Sequence, residues 1–131
     1  MNTSIEIHDS RAAEIYREGD SVGVFLAPAY LHRSMGRPGI DSGTGWTQDA
    51  RLVFSIGSVS GVVPELPCNI MNGELSLSGD RYPNEIPVPL QAAGSVELHL
   101  VFYPGCDVFI TGTTIRLELL GEARYVEEFH P

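Results

Sequence analysis

From Gly94 to Gly121 the chain reads GSVELHLVFYPGCDVFITGTTIRLELLG, and apolar and polar positions alternate through most of it. Val96, Leu98, Leu100 and Phe102 interleave with Glu97, His99, Val101 and Tyr103, the two-residue period of a strand with one buried face. Tyr103-Pro104-Gly105-Cys106-Asp107 carries turn chemistry, because Pro fixes φ and Gly tolerates φ > 0. A short strand from Val108 to Thr111 is predicted next. It leads through Gly112-Thr113 into a third strand, with Ile115, Leu117 and Leu119 against Arg116 and Glu118. Three antiparallel strands sharing one apolar face need a second layer, and the rest of the chain reads as that layer.

Ser4 to His8 alternates and opens the fold as a strand. Asp9 to Gly19 fits either a two-turn helix capped by Asp9 or Ser10, or a hairpin turning at Gly19-Asp20. The β-branched and aromatic residues that follow favour the hairpin. Pro28 ends or bulges the second strand. Leu31 to Trp46 reads as a long glycine-rich loop. Trp46, Gln48, Ala50, Leu52, Phe54 and Ile56 then share one face of a strand. Asn72-Gly73 between Ile70-Met71 and Leu75-Leu77 predicts a type I′ hairpin. Pro87 and Pro89, two apart in an extended run, remove both donors from one side of that strand. Ile86 to Leu90 is therefore expected at a sheet border. Arg124 to Phe129 is read as a last short strand or turn.

Together these signals predict an all-β chain: a single-domain (1–131) antiparallel β-sandwich or partly open barrel of about eight to ten short strands, with at most one or two helical turns. The 131 residues suffice for one core, and the 14 glycines and 9 prolines punctuate apolar runs.

Charge narrows the function classes. The net charge of −9 argues against nucleic acid and against anionic membrane surfaces as partners. All eight basic residues are arginine, so chemistry that needs a lysine is excluded, including Schiff-base attachment and a Walker-type phosphate lysine. No apolar run reaches the ~18–20 residues of a membrane helix. The start lacks the pattern of an export signal, and Cys68 and Cys106 are then expected as reduced thiols in a cytoplasmic setting. The absence of lysine also hints at a GC-rich bacterial genome.

Candidate chemistry is sparse. His8, His32, His99 and His130 are isolated, with no HxH or HxxxH spacing. Two or three could converge with Asp41 or Glu97, since a metal site built from separate strands leaves little trace in sequence. Surface or capping roles are nonetheless the expectation, and neither metal ligands nor a cofactor is assigned. Gly57-Ser58-Val59-Ser60-Gly61 approaches a nucleophile elbow but has valine at its centre, and turn chemistry accounts for it. Cys106 has no adjacent base to activate it. The most unusual stretch is the loop, where His32, Arg33, Arg37, Asp41 and Trp46 gather a titratable ring, two guanidinium groups, a carboxylate and an indole.

Two readings follow. The first is a non-enzymatic interaction module that binds a protein partner or self-associates. The second is a small-ligand binder or enzyme with its site in residues 31–46. A cavity carrying the loop side chains would favour the second, and an exposed apolar surface the first.

Overall fold

A computed structural model describes residues 1–131 as ten β-strands and one 3-10 turn. In chain order they are β1 (Asn2–Glu6), the turn Ile7–Asp9, β2 (Arg11–Glu18), β3 (Ser21–Ser34), β4 (Gly43–Ser55), β5 (Ser58–Gly61), β6 (Cys68–Leu77), β7 (Asp80–Pro83), β8 (Glu85–Val88), β9 (Gln91–Phe102) and β10 (Cys106–Phe129). All pair antiparallel in one sheet, in the order β2-β6-β9-β10-β4-β3-β1-β8, with β5 on β10 and β7 on β6. The sheet curls until β2, already paired with β3, also meets β6 at Arg11↔Asn69 and Ala12↔Cys68. That seam of two residue pairs leaves a partly open barrel, and the chain is all-β as expected. No helix is long and apolar enough to cross a membrane.

The core is one cluster of 22 buried apolar residues inside the curl. The alternating positions Val96, Leu98, Leu100 and Phe102 all point into it, as do Ala50, Leu52 and Phe54. Ile56, grouped with that face by alternation, lies beyond the strand at φ 49° and is 69% exposed.

Several strands are longer than the pattern suggests, because bulges let one strand bend between layers. Val108–Thr111 and Ile115–Leu119 belong to the same strand, β10, whose register shifts between Gly112 and Thr114. Its last part, including Arg124 to Phe129, continues along β4. The Asp9–Gly19 ambiguity resolves as the β2–β3 hairpin, and the Leu26/Ala29 register shift brackets Pro28. Strand β3 runs through Arg33 to Ser34 and β4 begins at Gly43, so the connection is only residues 35–42, shorter than the glycine-rich stretch implies.

The predicted Asn72-Gly73 hairpin is absent, since both residues lie inside β6. Gly73 does not adopt a positive φ, and its glycine identity answers to space. A Cβ there would sit 2.6 Å from Ile7 Cγ2 and 2.9 Å from the His99 carbonyl. Strand β8 is a border, pairing with β1 alone and placing Ile86 opposite Ile5 and Pro87 opposite Ser4, but it ends at Val88, so Pro89 and Leu90 of the expected border strand lie beyond it.

The two borders of this part of the sheet differ. Beyond Arg116↔Gln91, β10 loses β9 as a neighbour and pairs only with β4. Its residues from Glu118 to Phe129 therefore form a second free edge, without proline but broken by register shifts between Leu120 and Arg124 and between Tyr125 and Glu127.

Candidate functional site

The five residues singled out above are divided by the fold. His32 and Arg33 are neighbours on β3, so their side chains point to opposite faces. The Arg33 guanidinium lies over the Trp46 ring, 4.4 Å from its centroid, a cation–π contact. Trp46 is half-buried, donates Nε1–H to Thr44 Oγ1 at 2.7 Å, and meets Tyr125 edge-on. Asp41 turns inward to the connection, where its Oδ2 accepts the Arg37 backbone N–H at 2.7 Å. His32 and Arg37 do share a cleft of about 400 Å³, lined also by Ser4, Glu6, Asn84 and Glu85.

His32 is 6% exposed. Tyr30 and Phe129 pack edge-on against its ring at centroid distances of 5.1 and 5.0 Å. Its Nε2 contacts Glu6 Oε2, while Nδ1 is buried without a partner. In the neutral ring the proton therefore belongs on Nε2, where the carboxylate accepts it. Beside it the Tyr30 hydroxyl donates to Glu127 Oε1 at 2.5 Å. Burial, that bond, and the charges of Glu127, Glu6 and Asp9 together push the Tyr30 pKa well above the usual tyrosine range.

Glu6 is the hinge of a second group that alternation alone does not reveal. Its Oε1 lies 2.7 Å from His8 Nδ1, and His8 Nε2 is 3.4 Å from Asp9 Oδ1. The 3-10 turn holds these residues in place. Ile7 is buried as its anchor, Ser10 N–H closes onto the Ile7 carbonyl, and Ser10 Oγ donates to the Glu6 carbonyl. From β8's approach, Asn84 accepts the His8 backbone N–H on Oδ1 at 2.7 Å and sets Nδ2 2.9 Å from His8 Nδ1. Asn84 adopts φ 54°, a left-handed conformation that asparagine tolerates better than most residues. The alternation SIEIH places Ser4, Glu6 and His8 on one face, which is a usable signal. The convergence of His32 and Asn84 on them, 26 and 78 residues from Glu6 in the sequence, is not.

A separate histidine pair stands on the barrel wall. His99 Nε2 is 2.7 Å from Asp107 Oδ1, and the ring stacks on Phe109 at 4.4 Å. The two side chains are 35% and 55% exposed.

The free edge of β10 is the other distinctive surface. Tyr125 and Val126 are 52% and 47% exposed there. A register shift between Tyr125 and Glu127 marks a bulge at Val126. Arg124 pairs with Thr47 and Glu127 with Gly45, so both side chains lie on the Tyr30 face of the sheet. In comparisons with known proteins, no family model, no curated protein and no solved structure matches this chain.

Proposed function

We propose that this protein is a non-enzymatic interaction module that self-associates through the β10 edge, pairing with a second copy of the chain. The observation that carries the reading is the asymmetry of the two borders. Strand β8 ends the sheet with Pro87 in the strand and Pro89 just beyond it, whereas β10 from Glu118 to Phe129 pairs on one side only, with β4, and contains no proline. Unpaired donors and acceptors on a one-sided strand are a template for another strand, here over the short stretches between the register shifts at Leu120/Arg124 and Tyr125/Glu127.

The order Arg124-Tyr125-Val126-Glu127 favours a second copy as the occupant. In a two-fold antiparallel pairing Arg124 of each chain meets Glu127 of the other, and the exposed Tyr125 and Val126 fill the centre. Opposite charges directly across a strand pair contribute roughly 0.2–1 kcal/mol each, so the register is set by charge while backbone pairing and the apolar centre supply most of the affinity. Sedimentation equilibrium tests this reading. The apparent mass should rise with concentration from 14.2 kDa towards twice that value. A monomer at every concentration would remove self-association.

The cleft shared by His32 and Arg37 supports a second reading, a small anionic ligand held by the Arg37 guanidinium. It predicts that Arg37→Ala abolishes ligand binding with little change in stability, and a large loss of stability in that variant would make Arg37 structural instead.

A further inference from the structure

We infer that Glu6, His8 and Asp9 form a binding site for a divalent cation of the zinc type, with His32 as the buried residue that orients its carboxylate. The ligand atoms of these three side chains lie within 4.8 Å of one another. They offer one imidazole nitrogen and two carboxylates, a donor set that suits zinc and its neighbours better than magnesium or calcium.

His32 supplies the independent observation. It enters from β3, is more than nine-tenths buried, and its Nδ1 has no partner; its Nε2 contacts only the Glu6 carboxylate. A buried histidine that spends its one polar contact on holding a carboxylate resembles the outer shell of a metal site, where ligating carboxylates are themselves hydrogen-bonded. With Oε2 occupied by His32, Glu6 turns Oε1 towards His8.

The electrostatics point the same way. Glu85 lies directly across from Glu6 in the β1–β8 pair, an arrangement of like charges that disfavours pairing. The arginine ion pairs of the protein involve Glu74 and Glu118, and none reaches Glu6, Asp9 or Glu85. His8 Nδ1 lies 2.7 Å from Glu6 Oε1 and 2.9 Å from the Asn84 amide Nδ2. A shared cation relieves the negative charge of Glu6 and Asp9 at once. Glu6 lines the cleft of about 400 Å³, while His8 and Asp9 face a separate depression and are themselves exposed, so water can reach the site as a further ligand.

Isothermal titration of the full chain with Zn²⁺ at pH 7.5 tests the site, with Co²⁺ absorption as a second readout of nitrogen and oxygen coordination. One ion per chain should bind. His8→Ala and Glu6→Gln should each weaken binding by about 100-fold or more. His32→Gln should cost ~10–100-fold while keeping the stoichiometry. Affinity should fall as pH drops, because protons compete for the imidazole. His99→Ala and His130→Ala should leave binding unchanged, and a melting curve for each variant separates loss of the site from loss of the fold. No binding below ~1 mM Zn²⁺ at that pH, binding that survives His8→Ala in a folded variant, or binding lost in His99→Ala would overturn the inference. None of these outcomes bears on association at the β10 edge.

Discussion

Gly73→Ala puts one methyl group where β6 passes over the 3-10 turn. The new Cβ would lie 2.6 Å from Ile7 Cγ2 and 2.9 Å from the His99 carbonyl oxygen. Carbon atoms pack at about 3.5–4.0 Å, so something must move by roughly 1 Å. Ile7 is 1% exposed and β9 holds the carbonyl in its ladder with β6, so neither neighbour yields freely. Overpacking of this kind costs ~1–3 kcal/mol. Alanine fits the local backbone and restricts the unfolded chain, which returns ~0.4–1 kcal/mol. The net expectation is a loss of about 1–2 kcal/mol, measured as a lower urea midpoint at unchanged slope. Ile7→Ala alone should cost ~2–5 kcal/mol by opening a cavity. In the double variant the added methyl occupies part of that space, so the two losses should fall short of additivity by about 1 kcal/mol or more. A neutral or stabilising Gly73→Ala, or strict additivity, would refute the packing argument.

Three other outcomes follow from single features. Ile56 holds φ 49° while largely exposed, and Ile56→Gly should raise the unfolding free energy by about 0.5–1 kcal/mol after the entropy of glycine is subtracted, seen as a higher urea midpoint; a lower midpoint would mean the strain is not there. The raised pKa of Tyr30 means that its contribution to stability is complete below the unfolded-state value of about 10 and is lost as pH rises beyond it. Unfolding curves between pH 9 and 11 should therefore be flatter for Tyr30→Phe than for the wild type, and equal slopes would remove the link. Hydrogen exchange at Ile86 and Val88 should be faster than in the central strands β3 and β4, whereas equal protection would deny β8 its border position.

Much of the architecture is legible because it is written in local alternation. The strands around Val96–Phe102 and Ala50–Phe54 need only the two-residue period, and the β8 border is flagged by its prolines, although only Pro87 lies in the strand. Asn72-Gly73 misleads because glycine has two uses. A dipeptide that favours a turn can equally be a strand position against which another residue must pack, and the packing partner, Ile7, is 66 residues away in the sequence. A loop from Leu31 to Trp46 is too long for a related reason: Gly43 and Gly45 sit in β4 because other groups come close to them. A Cβ on Gly45 would collide with the Tyr30 hydroxyl. Within the proposed site, the sequence singles out His32 but not its partners. Glu6, His8 and Asn84 reach it through the β1–β3 and β1–β8 registers, which no window of sequence encodes.

Charge reversal at the β10 edge tests the proposed association most directly. Arg124→Glu alone would set a carboxylate against Glu127 of the second copy, and Glu127→Arg alone would set one guanidinium against another. Sedimentation of each variant should show weaker dimerisation than the wild type at the same concentration. Mixing the two variants restores opposite charges at both ends of the paired strands, and a dimer containing one of each should appear. Variants that dimerise alone as well as the wild type, or a mixture that stays monomeric while the wild type pairs, would contradict pairing through Arg124 and Glu127.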